Sequence, residues 1–239
     1  MKWAVGVTTV PKRMNDGLLD RTLESLNDTG FIDPVMFVDG EGLATDWAVF
    51  RGESVTAYGN FLLGIWELFI RNPSADRFAM FQDDLVASKN LRAYLEAVPY
   101  PPSSYLNLYT WPCNANTAGN PNWNPDRTGF ILSDQMGRGA VALVFDNATV
   151  RTLLSSREMV EHLNDSHRST RAIDRAVKNA LGGAHIREFV HNPSLVQHTG
   201  TYSVISKRNN HHPESPIFNG EDFDLLSLLE CNGPKSHDS

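Results

Sequence analysis

A short apolar run that ends in two adjacent carboxylates is the feature that most constrains how this chain can fold. Residues 78–81 are apolar and bounded by polar sequence, which is typical of a buried strand. Asp83 and Asp84 follow at its carboxyl end, and such neighbours repel each other unless a cation lies between them. Ligands bind at this end of the strands in open α/β sheets. The stretch 77–86 therefore predicts a buried strand that ends in a metal site; the alternative is a solvated Asp-Asp turn.

The rest of the chain alternates between strand-like and helix-like segments. Short apolar runs are separated by segments in which apolar residues recur at helical spacing. Besides the strand that ends at Asp83, the predicted strands lie at residues 3–8, 35–38, 105–109, 139–145 and 186–190. The predicted helices lie at residues 17–26, 59–70, 91–98, 148–155, 173–181 and 223–229, with Asn147 as the cap of the fourth. The first strand–helix–strand succession has the length of a right-handed βαβ crossover, which joins parallel strands.

Length and composition predict a single domain. The chain has 239 residues, of which 41% are hydrophobic, and it contains no convincing linker. We predict one α/β domain at residues 1–220, built around a central, mostly parallel sheet, and a partly flexible C-terminal extension at residues 221–239. Residues 112–129 are rich in Asn, Pro and Gly, which predicts a long loop that serves as a lid or is disordered.

Charge and cysteine content bear on partners and location. The net charge of −7 argues against indiscriminate nucleic-acid binding, although it is compatible with a local basic face. Cys113 and Cys231 lie far apart in sequence, which predicts free thiols in a reducing cytoplasm. The first apolar run is too short for a signal peptide, and no run approaches the roughly 20 apolar residues of a membrane-spanning helix. We expect a cytoplasmic protein without a membrane segment.

Several segments together resemble the GT-A glycosyltransferases. The resemblance rests on the first strand, the Thr-Val-Pro-Lys-Arg loop at 9–13, the Leu-Leu-Asp-Arg-Thr-Leu-Glu-Ser-Leu helix at 18–26, the Asp-Asp strand end and Pro-Ser-Leu-Val-Gln-His-Thr-Gly at 193–200. Within that fold family the chain is most similar to the inverting N-acetylglucosaminyltransferase IV type, over about residues 3–26, 59–90 and 135–205. The resemblance implies a Rossmann-like nucleotide-diphospho-sugar transferase domain, a UDP-sugar donor and a Mn²⁺ or Mg²⁺ ion.

The same resemblance assigns candidate roles around the acid pair. It implies Asp84 and His198 as metal ligands and Asp83 as their neighbour, while Gln82 replaces the first acid of the family's motif and could bind a ribose hydroxyl. A cation that also takes substrate phosphates as ligands needs few protein carboxylates. A lone histidine such as His198 is otherwise usually structural.

Donor recognition is expected at the first two strand ends and at a glycine-containing turn. The implied donor-binding residues are Thr8, Thr9, Lys12, Arg13, Asp39, Gly137 and Arg138. A guanidinium suits phosphate because it donates bidentately, and glycines permit close backbone approach. The alternatives are solvated surface cations for Lys12 and Arg13, an ordinary Asp-Gly turn at Asp39 and a plain strand-entry turn at Gly137.

An inverting transfer needs a base that deprotonates the acceptor hydroxyl, and a carboxylate on the acceptor side suits this role. Asp174 stands where the family carries an acidic residue at a helix start, with Asp134 and Asp165 in reserve. The alternative for Asp174 is an acid placed at a helix N-terminus by the macrodipole. Trp111, Trp123 and Phe130 flank the long loop and could stack on a sugar or a base, or be buried anchors.

Two acceptor classes remain open, together with rival functions. The acceptor would be 5-hydroxymethylpyrimidine in phage DNA, in a bacterial or phage-infected cytoplasm, or a cell-surface glycan or its lipid-linked precursor. A basic rim for DNA could come from Arg127, Arg138, Arg168, Arg171, Arg175, Lys207 and Arg208. The rivals are a sugar nucleotidyltransferase, a metal-dependent phosphohydrolase and a non-catalytic carbohydrate-binding module.

Overall fold

The computed structural model describes residues 1–115, 119–121, 123–163, 173–200 and 214–231. Within these ranges the chain alternates between strands and helices. The strands are β1 (Trp3–Thr9), β2 (Val35–Val38), β3 (Ala48–Phe50), β4 (Arg77–Gln82), β5 (Leu85–Ala87), β6 (Ser104–Asn107), β7 (Gly129–Leu132), β8 (Ala142–Asp146), β9 (Arg187–Asn192) and β10 (Val196–His198). The helices are α1 (Leu18–Asp28), α2 (Thr56–Arg71), α3 (Leu91–Ala97), α4 (Pro112–Ala115), α5 (Asn147–Ser155), α6 (Arg157–Leu163), α7 (Ile173–Gly182) and α8 (Ser227–Cys231), with a 3-10 helix at Pro11–Asn15.

One sheet organises the part of the chain that the structure describes. Its eight strands lie in the order β3-β2-β1-β4-β8-β6-β9-β7. The pairs β3–β2, β2–β1, β1–β4 and β6–β9 are parallel, whereas β8 is antiparallel to both of its neighbours and β7 is antiparallel to β9. The prediction of an α/β fold with a central, mostly parallel sheet is therefore confirmed.

Helices cover both faces of this sheet because its central strands are apolar on both sides. Ala79 and Phe81 of β4 belong to one buried cluster, and Phe78 and Met80 belong to another, as alternation along a strand requires. The helix α2 packs closely over β1 because Gly6 has no side chain: a Cβ at Gly6 would lie 3.1 Å from Leu68 of α2 and 2.7 Å from the ring of Phe37 of β2.

The chain leaves the sheet immediately before the acid pair. β4 ends at Gln82, and Asp83 and Asp84 form a bend. Leu85 then begins β5, which pairs with β10 in a separate two-stranded sheet. The Leu85 amide donates to Thr22 Oγ1 of α1 at 3.1 Å, and the Thr22 hydroxyl donates back to the Leu85 carbonyl at 2.9 Å. The stretch 77–86 is therefore two strands rather than one, because its backbone finds new partners beyond Gln82.

Several other boundaries differ from the prediction. The cap of α5 is Asp146, whose carboxylate accepts from the Thr149 amide at 2.7 Å; Asn147 is already the first helical residue, so its prediction as the cap was wrong. The strands β3, β7 and β10 and the helices α4 and α6 were not predicted. β3 and β10 have three residues each and α4 has four, which is too few to show a clear period. The C-terminal helix begins at Ser227, later than expected.

The described part of the C-terminal extension packs against the domain. Leu225 is fully buried, and its amide donates to the Lys89 carbonyl at 3.2 Å. The Lys89 amide in turn donates to the Glu221 carbonyl at 2.9 Å. The domain boundary at residue 220 stays a prediction. Among the residues described here, no helix has the length and apolar character needed to cross a bilayer.

Candidate functional site

The two carboxylates lie buried at the carboxyl edge of the parallel strands. Asp83 is 9% exposed and Asp84 is 7% exposed. The register pairs Thr8 of β1 with Gln82 of β4. The residues that follow them, Thr9 and Asp83, are therefore neighbours as well. The Thr9 hydroxyl donates to Asp83 Oδ2 at 2.6 Å. Strand pairing thus fixes one carboxylate, as the position of the pair in the sequence predicts.

Arg13 reaches the same carboxylates from the 3-10 helix that follows β1. The Arg13 amide donates to the Val10 carbonyl at 2.9 Å, which turns the chain back towards the acid pair. The side chain is buried, with Nη2 3.3 Å from Asp84 Oδ2 and Nε 4.0 Å from Asp83 Oδ1. A third contact joins Nη1 to Asp16 Oδ2 at 3.2 Å. Arg13 is therefore a buried cation of the site, and the surface alternative does not apply to it.

His198 contacts the same carboxylate from the end of β10. The antiparallel pairing of β10 with β5 sets His198 opposite Leu85, and His198 Nε2 lies 3.3 Å from Asp84 Oδ2. The Thr199 amide donates to the Asp84 carbonyl at 2.7 Å. A Cβ at Gly200 would lie 2.7 Å from Asp84 Oδ2 and 2.9 Å from His198 Cε1. Glycine at position 200 therefore keeps open a space beside the carboxylate and the imidazole.

The charges of this site depend on one another. Burial, and next the charge of Asp84, raise the pKa of Asp83 to about 6, against the opposing hydrogen bond from Thr9 and the charge of Arg13. Two buried carboxylates on adjacent residues favour cations in their surroundings. The arrangement can therefore hold a positive ion or a ligand that brings one.

The donor set of Asp84 and His198 fits a divalent ion that takes its other ligands from a substrate. Among the described residues, no group of three or more His, Cys, Asp or Glu could hold a metal by itself. Neighbouring ligands of one octahedral ion lie roughly 3 Å apart, and the separation of Asp84 Oδ2 from His198 Nε2 is 3.3 Å. Oxygen and imidazole donors suit Mn²⁺, and phosphate oxygens commonly complete such a shell.

The second strand end lies next to the first. The Asp39 amide donates to the Thr9 carbonyl at 2.9 Å. Its carboxylate accepts from the Val55 amide at 2.6 Å and from the Ser54 hydroxyl at 2.8 Å. Asp39 therefore holds together the strand ends and the segment that precedes α2. Ser54 and Val55 were not predicted as site residues, because nothing in the local sequence marks them as partners of Asp39.

The remaining candidates near the acid pair are Thr8, Lys12 and Gln82, which make no hydrogen bond to Asp83 or Asp84 that the structure shows. Thr8 donates to the Phe81 carbonyl at 3.3 Å, so its hydroxyl supports the strand pair. Lys12 is exposed and lies next to Arg13 in the 3-10 helix. Gln82 donates through Nε2 to the Ala140 carbonyl at 2.8 Å. That amide links the acid pair to the glycine-containing turn before β8.

The glycine-containing turn rests on the start of α7. Gly137 has φ 66°, and a Cβ there would lie 2.7 Å from the Asp174 carbonyl oxygen. The Gly139 amide donates to Asp174 Oδ2 at 2.7 Å, and the Arg175 amide donates to Oδ1 at 2.8 Å. Burial raises the pKa of Asp174 despite these bonds. The structure therefore places Gly137 in direct contact with Asp174.

The reserve base and the neighbouring arginine also lie at this turn. Asp134 accepts from the Met136 amide at 2.9 Å, and its Oδ2 lies 3.8 Å from Arg138 Nε. The Arg138 side chain is 43% exposed. Arg127 and Arg175 are exposed as well. The other predicted residues of the basic rim and the second reserve base lie outside the described residues: Asp165, Arg168, Arg171, Lys207 and Arg208.

A buried acid that was not a candidate supports the same turn. Glu188 of β9 is 1% exposed and accepts from Ser133 Oγ at 2.7 Å and from Asn107 Nδ2 at 3.1 Å. Asn107 Nδ2 also donates to the Arg138 carbonyl at 3.0 Å. Burial raises the pKa of Glu188 to about 7. The signal that could have revealed it is an acidic residue inside an otherwise buried strand.

No protein-family model and no curated protein matches this chain. Among solved structures, a glycosyltransferase involved in the glycosylation of the major capsid of PBCV-1 is similar at 12% identity and a TM-score of 0.48, over 84% of this chain and 94% of that one. Mannose-1-phosphate geranyltransferase from Thermus thermophilus is similar at 13% identity and a TM-score of 0.43, over 80% of this chain and 74% of that one. At these values the likeness carries no functional argument, so the function must be argued from the site.

Proposed function

We propose that this protein is a glycosyltransferase that moves a sugar from a UDP-sugar to an acceptor hydroxyl. The observation that carries the proposal is the convergence of Thr9, Arg13, Asp83, Asp84 and His198 in one buried cluster at the carboxyl edge of β1 and β4. This edge is where α/β sheets bind nucleotides. The Arg13 guanidinium can bind a diphosphate directly, and the Asp84–His198 pair can bind it through a metal ion.

On this proposal, Asp84 and His198 hold Mn²⁺ or Mg²⁺, while Arg13 and Thr9 bind the donor diphosphate. The ion, when bound, neutralises charge on the departing nucleoside diphosphate. Arg13 stabilises the same charge by donating two hydrogen bonds in parallel. Asp39 and Thr8, at the neighbouring strand ends, are proposed to shape the uridine site, and Gln82 to face the ribose.

The acceptor is proposed to react on the side of the glycine-containing turn. Asp174 would deprotonate the acceptor hydroxyl as the anomeric carbon is attacked from behind, which inverts its configuration. Burial of the Asp174 carboxylate raises its pKa, and this supports the role, since a base works best when its pKa lies closer to the working pH. Two backbone amides hold the carboxylate in place. Gly137 allows close approach of backbone and substrate.

The test of the donor chemistry is a panel of nucleotide sugars with Mn²⁺, scored for the nucleotide released. We expect UDP release that depends on metal and falls about 100- to 1,000-fold in Asp84→Asn, the magnitude of losing one major charge-stabilising group. The control is Asp28→Asn, which removes an exposed carboxylate at the end of α1. Release of a monophosphate from the nucleotide sugars would favour a phosphohydrolase. Release of pyrophosphate when UTP and a sugar 1-phosphate replace the nucleotide sugars would favour a nucleotidyltransferase; either result would contradict the proposal.

For the acceptor we propose 5-hydroxymethylpyrimidine in DNA, in a cytoplasmic setting. The support is electrostatic: Arg138, in the turn that contacts Asp174, and Arg175, next to Asp174 in sequence, are accessible, and Arg127 is exposed too, although the whole chain is acidic. The test offers hydroxymethylcytosine DNA, unmodified DNA and a lipid-linked glycan to the enzyme at two salt concentrations. Transfer to hydroxymethylcytosine DNA that weakens at moderate salt is expected. Transfer to the glycan alone would contradict the DNA proposal.

A further inference from the structure

Arg13 already occupies the position of a counter-cation beside Asp84. Its side chain is 6% exposed and contacts Asp84, Asp83 and Asp16 at 3.3, 4.0 and 3.2 Å. The turn that begins at Val10 fixes this placement locally. A buried guanidinium among three carboxylates is strongly favoured there, because each ion of the group would otherwise be desolvated without compensation.

This placement conflicts with a metal on the same oxygen. Arg13 Nη2 and His198 Nε2 each lie 3.3 Å from Asp84 Oδ2. A divalent ion binds a carboxylate oxygen at about 2.1 Å, so it would lie no more than about 5.5 Å from the guanidinium nitrogen. Two cations at that distance repel each other strongly where water is largely excluded. The metal and Arg13 therefore compete for Asp84.

A nucleoside diphosphate can remove the conflict. Its phosphates supply the negative charge that the guanidinium and the metal both need, and a guanidinium binds phosphate bidentately. Asp16 provides a second carboxylate for Arg13 on the more open side of the site, with a side chain that is 33% exposed. The Leu18 amide donates to Asp16 Oδ1 at 3.0 Å and holds that carboxylate at the start of α1. Arg13 can thus turn from Asp84 towards the phosphates without losing all of its partners.

We propose that Arg13 makes metal binding conditional on the donor: a divalent ion binds Asp84 and His198 tightly only together with a nucleoside diphosphate. This inference rests on the proposed function and concerns the same site. It implies a reciprocal coupling, because whatever factor the diphosphate adds to metal affinity, the metal adds to diphosphate affinity. It also implies that removing the charge of Arg13 should raise the affinity for the metal in the absence of the diphosphate.

The experiment is isothermal titration of MnCl₂ into the protein, alone and with saturating UDP. The variants are Arg13→Gln and the control Arg21→Gln, which removes the same charge from an exposed position on α1 that pairs with Glu221. In the parent we expect UDP to raise Mn²⁺ affinity by about tenfold or more. Arg13→Gln should bind Mn²⁺ alone about tenfold more tightly than the parent, with a smaller gain from UDP. Arg21→Gln should behave as the parent does.

Two results separate this inference from the proposed function. If the parent binds Mn²⁺ with UDP but Arg13→Gln binds Mn²⁺ alone no more tightly than the parent, the conditional role of Arg13 is wrong and the metal site stands. If the parent binds no Mn²⁺ even with UDP, the metal site itself is wrong. Should Arg13→Gln fail to fold, Arg13→Met fills the same buried space without charge. In that variant Mn²⁺ alone should raise the unfolding temperature by more than it does in the parent, and an equal rise would overturn the inference.

Discussion

The buried carboxyl of Glu188 should make the stability of this protein fall as the pH rises through the neutral range. The group is 1% exposed. Burial, which dominates, raises its pKa from 4.5 to about 7, while the hydrogen bonds from Ser133 and Asn107 lower it and the charges of Asp174 and Asp134 raise it further. The folded protein therefore holds a proton on Glu188 that the unfolded chain has already released.

The magnitude follows from the two pKa values. Below pH 4.5 both states hold the proton, and the carboxyl has no pH-dependent effect. Between pH 4.5 and about 7 only the folded state holds it, so the free energy of unfolding falls steadily. Above pH 7 both states are ionised and the loss is complete. Each unit of difference corresponds to about 1.4 kcal/mol, so the total loss is about 3 kcal/mol.

The perturbation that isolates this effect is Glu188→Gln. The amide has the same shape, its oxygen can accept from Asn107, and it cannot ionise. Relative to the parent, the variant should gain about 2 to 3 kcal/mol of stability between pH 5 and pH 8. The assay is urea unfolding at fixed ionic strength at pH 5, 6, 7 and 8. Glu24→Gln, at an exposed position of α1, serves as the control and should keep the parent's pH dependence.

A result that would refute this reasoning is a stability difference between Glu188→Gln and the parent that does not change from pH 5 to pH 8. It would mean that Glu188 titrates at its ordinary pKa in the folded state. The hydrogen bonds from Ser133 and Asn107 would then fully offset the burial that opposes its charge.

Three further predictions concern the turn, a helix cap and the second strand end. Gly137→Ala should cost about 2 kcal/mol or more in urea unfolding, because φ is 66° and the new Cβ would meet the Asp174 carbonyl at 2.7 Å; Gly183→Ala, which has open space around it, should change stability little. Asp146→Ala should lower the unfolding free energy by about 1 kcal/mol through loss of the α5 cap, and an unchanged midpoint would contradict this. Asp39→Asn should raise KM for the UDP-sugar about tenfold with kcat nearly unchanged, since an amide replaces one of two accepting oxygens; steady-state kinetics with an unaltered KM would contradict its role in the uridine site.

The elements with the strongest periodicity were predictable, and those that depend on pairing were not. β1, β2 and α2 follow from apolar runs whose length and spacing identify them. β3, β5 and β10 have three residues each, so no period can be recognised, and they exist because a neighbouring strand offers hydrogen bonds. The capping role of Asp146 shows the same limit, since the choice between adjacent Asp and Asn depends on where the helix begins.

The candidate site was predictable in its members more than in its contacts. Arg13, Asp84 and His198 were all candidates, but the proposal that Arg13 competes with a metal for Asp84 rests only on distances in the tertiary structure. Asp39 was predicted to face the nucleoside, whereas both of its oxygens also hold the segment before α2. Glu188 was not predicted as a site residue because its partners, Asn107 and Ser133, are distant in sequence.

By itself the sequence determined an alternating α/β order and an acid pair at the end of a buried strand. These properties are local, because they depend on which side chains must leave water along one element. The tertiary structure alone decided that the acid pair lies in a bend between two sheets, with Arg13 and His198 both 3.3 Å from Asp84 Oδ2. Register, strand order and the turn after β1 set those distances, and none of them is encoded in the neighbourhood of Asp83 and Asp84.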